Sequence, residues 1–146
     1  MFVELLEEIT KEDEELELLN ENNTADRSSI RSQFKRLFGH LLKWKYQPTK
    51  QYSRWIDTIR NAVVELNEIK TKNPTEWGEV IPSKIDQYYN LGINLAVDET
   101  GLDRRTFPKT LPEELSLPYV IDLAYIESYM KKYAYTDEVK KLLGSM

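Results

Sequence analysis

His40-Leu41-Leu42-Lys43-Trp44-Lys45-Tyr46-Gln47-Pro48, with Arg54-Trp55-Ile56-Asp57-Thr58-Ile59-Arg60 close behind, is the stretch that decides the fold. Upstream, apolar side chains fall at Ile30, Phe34, Leu37, Phe38, Leu41 and Leu42, the spacing of one helical face. Pro48 ends that helix, because proline lacks the N–H and pushes the preceding residue out of the helical region. Downstream, Trp55, Ile59, Ala62, Val63, Leu66 and Ile69 repeat the helical spacing. Helices joined by so short a connection lie antiparallel. Residues 25–46 and 50–72 therefore form a helical hairpin with Pro48 at its corner, where Trp44, Tyr46 and Trp55 are placed to pack together. Gly39 inside the first helix costs up to ~1 kcal/mol relative to Ala, so a backbone or ring is expected close to it, with Trp55 as the candidate.

Beyond the hairpin, Pro74 suits the first turn of a helix over 74–99, with a break or kink expected at Pro82. Its apolar stripe is Ile81, Ile85, Tyr88, Tyr89, Gly92, Leu95 and Ala96, and the small pair Gly92 and Ala96 permits close approach of another helix. Gly101 suits a left-handed C-terminal cap. Pro108, Pro112 and Pro118 make 102–118 an irregular wrap anchored by Phe107. Helical periodicity resumes over 119–134, and 137–143 adds a last turn or two. Residues 2–20 carry a patchy apolar pattern thick with Glu, and the run from Glu12 to Glu17 reads as a solvated helix face. Asn20 to Asn23 is a break, with Thr24 or Asp26 as the cap of the next helix. The expectation is an all-α, up-and-down antiparallel helical bundle of about four main helices with an added C-terminal helix. Residues 25–46, 50–72 and 74–100 form its core, and the N-terminal or C-terminal helix supplies the fourth side. It is read as a single domain over 1–146, with an acidic N-terminal helix at 1–22 and a C-terminal extension from about 111 to 146.

Composition narrows the class. A chain of 146 residues is one domain's worth and can bury roughly two-thirds of its unfolded surface. With 40% apolar and 31% charged residues it is globular rather than disordered. There is no Cys, which removes disulfides, thiolate chemistry and Cys-based zinc sites. No apolar run approaches ~18 residues and the N-terminus lacks the basic flank of a signal peptide, so a cytoplasmic, soluble chain is expected. The net charge of −5 hides an asymmetry. Residues 1–26 hold ten acids against one Lys, a net −9, whereas 27–60 hold nine Lys or Arg against Asp57 alone, a net +8. A segment at +8 suits nucleic acid or an acidic partner, and the simpler reading is neutralisation by the adjacent acidic N-terminus.

The candidate binding residues are His40, Lys43, Lys45, Arg54 and Arg60. With Lys50 they interleave with Trp44, Tyr46, Tyr52 and Trp55, a pattern that can hold single strands by stacking and phosphate contact. An ordinary helix corner, rings inward and Lys outward, has the same pattern. Arg54 and Arg60 are suited to interfacial ion pairs. His40, the only His, reads first as a structural ring bonded to a carboxylate or carbonyl, and second as a proton shuttle or ligand. One His cannot build the Glu-x-x-His pairs of di-iron bundles, so no metal site and no cofactor are expected. No Gly-rich phosphate loop, Gly-x-Ser-x-Gly or His-Glu-x-x-His occurs, and catalysis is not expected. Tyr125, Tyr129 and Tyr133 in the C-terminal helix are a candidate interface, because Tyr is enriched at interfaces.

His40-Leu-Leu-Lys-Trp44-x-Tyr46-Gln-Pro48 and Trp55-x-x-Thr58-Ile59-Arg60 resemble the domain-of-unknown-function 29 family, common in cyanobacteria and other prokaryotes. Glu99-Thr-Gly101-Leu102 and Phe107-Pro108 fit the same pattern, as do Tyr89 and Ala96, and the resemblance covers about residues 15–108. It implies a small antiparallel helical bundle and no particular function. The chain departs from the pattern at Ile56, where the family usually has Arg, at Asn22-Asn23-Thr24, and from about Leu111 onward, where the family has a short tail. The reading that follows is a small protein-interaction module without catalysis. Nucleic-acid binding through the 43–60 corner is the alternative, and an enzyme with His40 as base is a third reading. An unidentified protein is the expected partner, no membrane association is expected, and a homodimer is left open.

Overall fold

The structure, a computed structural model, describes residues 24–144. The expected helix over 1–22, its break, and any neutralisation of the hairpin by the acidic N-terminus lie outside the described residues. So do the side chains of Thr24 and Asp26.

The described residues form helices and irregular segments only. Helix α1 is Thr24–Tyr46, α2 is Ser53–Lys72 and α3 is Pro74–Thr100. Three single-turn 3₁₀ segments follow (Arg104–Thr106, Glu113–Leu115 and Tyr119–Ile121), then α4, Leu123–Tyr133, and α5, Asp137–Leu142. The corner between α1 and α2 is a 3₁₀ turn, Pro48–Lys50. α1 is the central element. It packs along α3 on one side and α2 on another, while α2 and α3 meet little beyond their one-residue junction at Asn73.

The seam between α1 and α3 is the tightest in the fold, and its two helices run the same way, as alternate members of an up-down-up trio do. Phe34 stacks on Tyr88 at 5.2 Å, Phe38 meets Tyr89 edge-on at 5.5 Å, and further along Lys43 pairs with Glu99. Gly92 makes the approach possible. A Cβ there would strike Phe38 Cβ and stand 2.9 Å from the backbone nitrogen of Gly39. Gly39 faces Leu95 of α3 and not Trp55, correcting the sequence expectation: a Cβ on it would lie 2.6 Å from Leu95 Cδ2. Consecutive helices pack antiparallel, but the glycines serve the parallel pair.

Three further expectations are corrected. α3 runs unbroken through Pro82, whose exposed ring leaves the unpaired Gly78 carbonyl on the solvent side, where water can bond it. The C-terminal helix starts at Leu123, because 119–121 is a 3₁₀ turn and Asp122 caps α4 by accepting from Tyr125 N. The three corner aromatics go separate ways. Trp44 is fully buried with Nε1 donating to Met130 O at 3.0 Å, Tyr46 meets Phe107 edge-on at 5.6 Å, and Trp55 turns to the opposite face of α1, toward His40.

α4 covers α1 and α2, so the C-terminal helix supplies a side of the bundle. Arg60 forks onto Glu127 at 2.6 and 2.8 Å, and Asn67 donates to Ile121 O at 2.7 Å. Gln51, buried at the corner, donates to Trp44 O and Tyr133 O at 2.8 Å each and accepts from Tyr135 N at 2.9 Å. One side chain thus ties the end of α1 to the end of α4, which satisfies carbonyls that helix ends leave open. Gly101 closes α3 in the left-handed conformation, φ 72°, its N–H on Val97 O.

Candidate functional site

Because α2 and α3 both pack on α1 but hardly meet each other, a face of α1 is left open between them. Lys35, Arg36 and His40 of α1, Thr58 of α2, and Leu95 and Glu99 of α3 line a hollow of about 380 Å³. It continues into a cleft of about 600 Å³ at the corner, where His40, Lys43, Thr58 and Glu99 are joined by Gln47, Lys50, Tyr52, Arg54 and Trp55. The shared lining of His40, Thr58 and Glu99 makes the two one groove.

Lys43 forms the floor. Its side chain is 3% exposed, its ammonium pairs with Glu99, and it lies 4.4 Å over the Trp55 ring. An ammonium taken from water needs such compensation, here a carboxylate and a ring face. Tyr52 stands edge-on to Trp55 at 5.2 Å and carries Arg54 over its own face at 4.6 Å. Among the described residues, no carboxylate pairs with Lys35, Arg36, Lys50 or Arg54. Tyr52, the residue before α2, provides no side-chain cap to that helix's first turn.

His40 is half-buried in the wall, Nδ1 donating to Arg36 O at 2.8 Å and its ring edge-on to Trp55 at 6.2 Å. Burial, then the Lys43 charge, holds its pKa below 6.5, outweighing Glu99 and the Arg36 carbonyl. The ring is therefore neutral near pH 7, and it lines a polar cleft rather than being sealed among apolar side chains. No carboxylate bonds it among the described residues, and the Thr58 hydroxyl donates to Arg54 O at 3.0 Å rather than to the imidazole. A nucleophile and base are thus not paired here. Among the described residues, no group of three or more His, Asp or Glu is gathered as a metal would need.

Of the five candidate binding residues, the fold brings together His40, Lys43 and Arg54. Lys45 and Arg60 lie outside the groove, each in an ion pair with a distant glutamate. Lys45 bonds Glu114 at 2.6 Å beside the Tyr133 hydroxyl, and Arg60 is held by Glu127. Lys45 and Lys43 differ by two helical positions, about 200° of rotation, so they face opposite sides of α1. The Tyr trio of α4 is placed in three different settings. Tyr129 is buried with its hydroxyl donating to Leu41 O at 3.1 Å, and Tyr133 bonds Glu114 at 2.8 Å, while Tyr125 stacks half-buried on exposed Tyr119. Trp44, Tyr46, Pro48 and Gly101 shape the frame around the groove, and Trp55 alone of the motif aromatics borders it. Gln47, Thr58 and Glu99 were not among the candidates, and Lys50 and Tyr52 stood only in the basic and aromatic pattern around them. Thr58 and Glu99 stood in the motifs already quoted, but only folding shows that residues 58 and 99 face one cleft.

No helix of the described residues is long and apolar enough to cross a membrane. No curated protein and no solved structure matches the chain. A family model, "Domain of unknown function DUF29", matches residues 6–125, beyond the 15–108 stretch on which the motifs lie and into the first turn of α4. With most of the chain matched and the motif residues inside the match, the chain belongs to the DUF29 family, whose function is unknown.

Proposed function

We propose that this chain is a cytoplasmic protein-interaction module that holds an acidic segment of a partner in the groove over α1 and carries out no chemistry of its own. The observation that carries the reading is the row of Lys35, Arg36, Lys50 and Arg54 beside an open groove, none paired with a carboxylate among the described residues. Unpaired cations at a concave surface attract and orient an acidic partner. A cysteine-free chain is suited to a reducing compartment. Binding rather than catalysis is favoured by the imidazole's setting, where among the described residues no carboxylate bonds the ring and the Thr58 hydroxyl is turned to Arg54 O.

A second reading rests on Tyr52, 44% exposed with Arg54 on its face, which is a stacking platform of the kind that holds single-stranded nucleic acid. Glu99 at the groove and the net charge of −5 weigh against it.

Capture from the native host separates the two. Tagged wild-type chain and the Lys35→Ala/Arg36→Ala/Lys50→Ala/Arg54→Ala variant are compared with and without nuclease. An acidic protein retained by the wild type after nuclease and lost by the variant supports the interaction module. Recovery that collapses with nuclease favours nucleic acid, and a partner kept equally by both chains overturns the groove as the recognition surface.

A further inference from the structure

We propose that the corner end of the groove is a binding site for a phosphate monoester, and that Glu99 occupies it as a built-in competitor in the unliganded protein. This rests on the groove being the recognition surface and specifies the chemistry of its deepest point.

Three cations line the same cleft: buried Lys43, and exposed Lys50 and Arg54. Against them stands one carboxylate, Glu99, whose side chain is 46% exposed while that of Lys43 is 3% exposed. The pair is therefore asymmetric. Lys43 cannot leave without dragging its stem out of the packed face, whereas Glu99 can swing into water. Helix electrostatics act in the same direction. Lys43 is in the last turn of α1, where the carbonyl end favours a cation. Glu99 is in the last turn of α3, where the same end disfavours an anion.

An entering anion replaces Glu99 on Lys43 and gains Lys50 and Arg54, which Glu99 does not engage. Three cations freed of their single carboxylate favour a dianion over a monoanion, which selects a phosphate monoester over a carboxylate. Exposed Tyr52, backed edge-on by buried Trp55, forms a wall suited to the planar group of an aryl ester.

The test uses the full-length chain, with calorimetric titration of phenyl phosphate and of inorganic phosphate. Trp55 fluorescence serves as the location signal, since Trp55 lines the cleft and Trp44 and Trp77 do not. Glu99→Gln keeps an oxygen that can accept from Lys43 but removes the competing charge. It is expected to bind phosphate esters about tenfold more tightly than the wild type, and to gain more thermal stability from the ligand. Lys50→Ala/Arg54→Ala, both at exposed positions, is expected to lose binding while melting as the wild type does. Phenyl phosphate binding more tightly than inorganic phosphate assigns the ring wall a role, and equal affinities assign the site to the phosphate alone. Glu99→Gln binding no better than the wild type overturns the competitor role, and no binding to either chain overturns the site. If phosphate fails while the charge-dependent capture of an acidic protein persists, only this proposal falls. If both fail, the groove reading falls with it.

Discussion

The last turn of α1 presents two sides that use the same residue types to opposite ends. On the sealed side, Lys45 meets Glu114, Glu114 also accepts from Tyr133, and Trp44 donates to Met130 O, so each polar group joins segments far apart in the chain. On the open side, Lys43 meets Glu99, but the carboxylate has no second partner among the described residues and Trp55 borders a cleft. Around Glu114, burial pushes the carboxyl up, and the Lys45 and Tyr133 hydrogen bonds more than reverse it, leaving its pKa below 4.5. An ion pair with its lone pairs engaged acts as a strut. One with a half-exposed partner can exchange that partner for a ligand.

The largest expected effect tests the sealed side. Trp44→Ala should lower unfolding free energy by ~3–5 kcal/mol in a denaturant titration, since it empties a fully buried site and leaves Met130 O without its donor. Trp55→Ala should cost about 1 kcal/mol less, because water from the cleft can enter the space. Equal losses would show that the open side is as tightly packed as the sealed one.

Next in size are the two seam glycines. Gly92→Ala drives a methyl into Phe38 and the Gly39 backbone, neither of which can rotate away, and should cost ~1–3 kcal/mol. Gly39→Ala meets Leu95, whose Cδ2 can turn away but whose Cβ, 3.1 Å from the new methyl, can only shift, and it gains up to ~1 kcal/mol of helix propensity, so it should cost less than Gly92→Ala. A reversed order would mean that the α1–α3 approach is set elsewhere.

The smallest effect is the pH dependence. Burial and Lys43 depress the His40 pKa below its unfolded value of 6.5, so its contribution is complete above pH 6.5 and is lost as pH falls through the folded pKa. Glu114 is also depressed, and its contribution is lost only below pH 4.5. Melting curves should therefore fall in two stages on acidification. His40→Gln should remove the upper stage alone, and a variant that still shows it would assign that stage to another group near the groove.

Much of the architecture was legible because it depends on local spacing. The two helical faces, the stop at Pro48, the start at Pro74 and the cap at Gly101 follow from side-chain periodicity and backbone stereochemistry, which neighbours in the chain determine. The site was legible only in part. His40, Lys43 and Arg54 stood out as basic residues around rings, yet Lys45 and Arg60 looked the same and became struts. Charge and spacing cannot separate a cation that meets a glutamate 69 residues away from one that meets none.

What the sequence alone determined is an all-helical chain with its apolar faces, its corner and its family membership. Tertiary structure decided which glycine faces which helix, that the closest pair is the parallel one, and that α2 and α3 part to leave a basic groove. The physical reason is that helix formation is read within a few residues, whereas a groove and its charge balance depend on the side chains that distant segments bring to the same space.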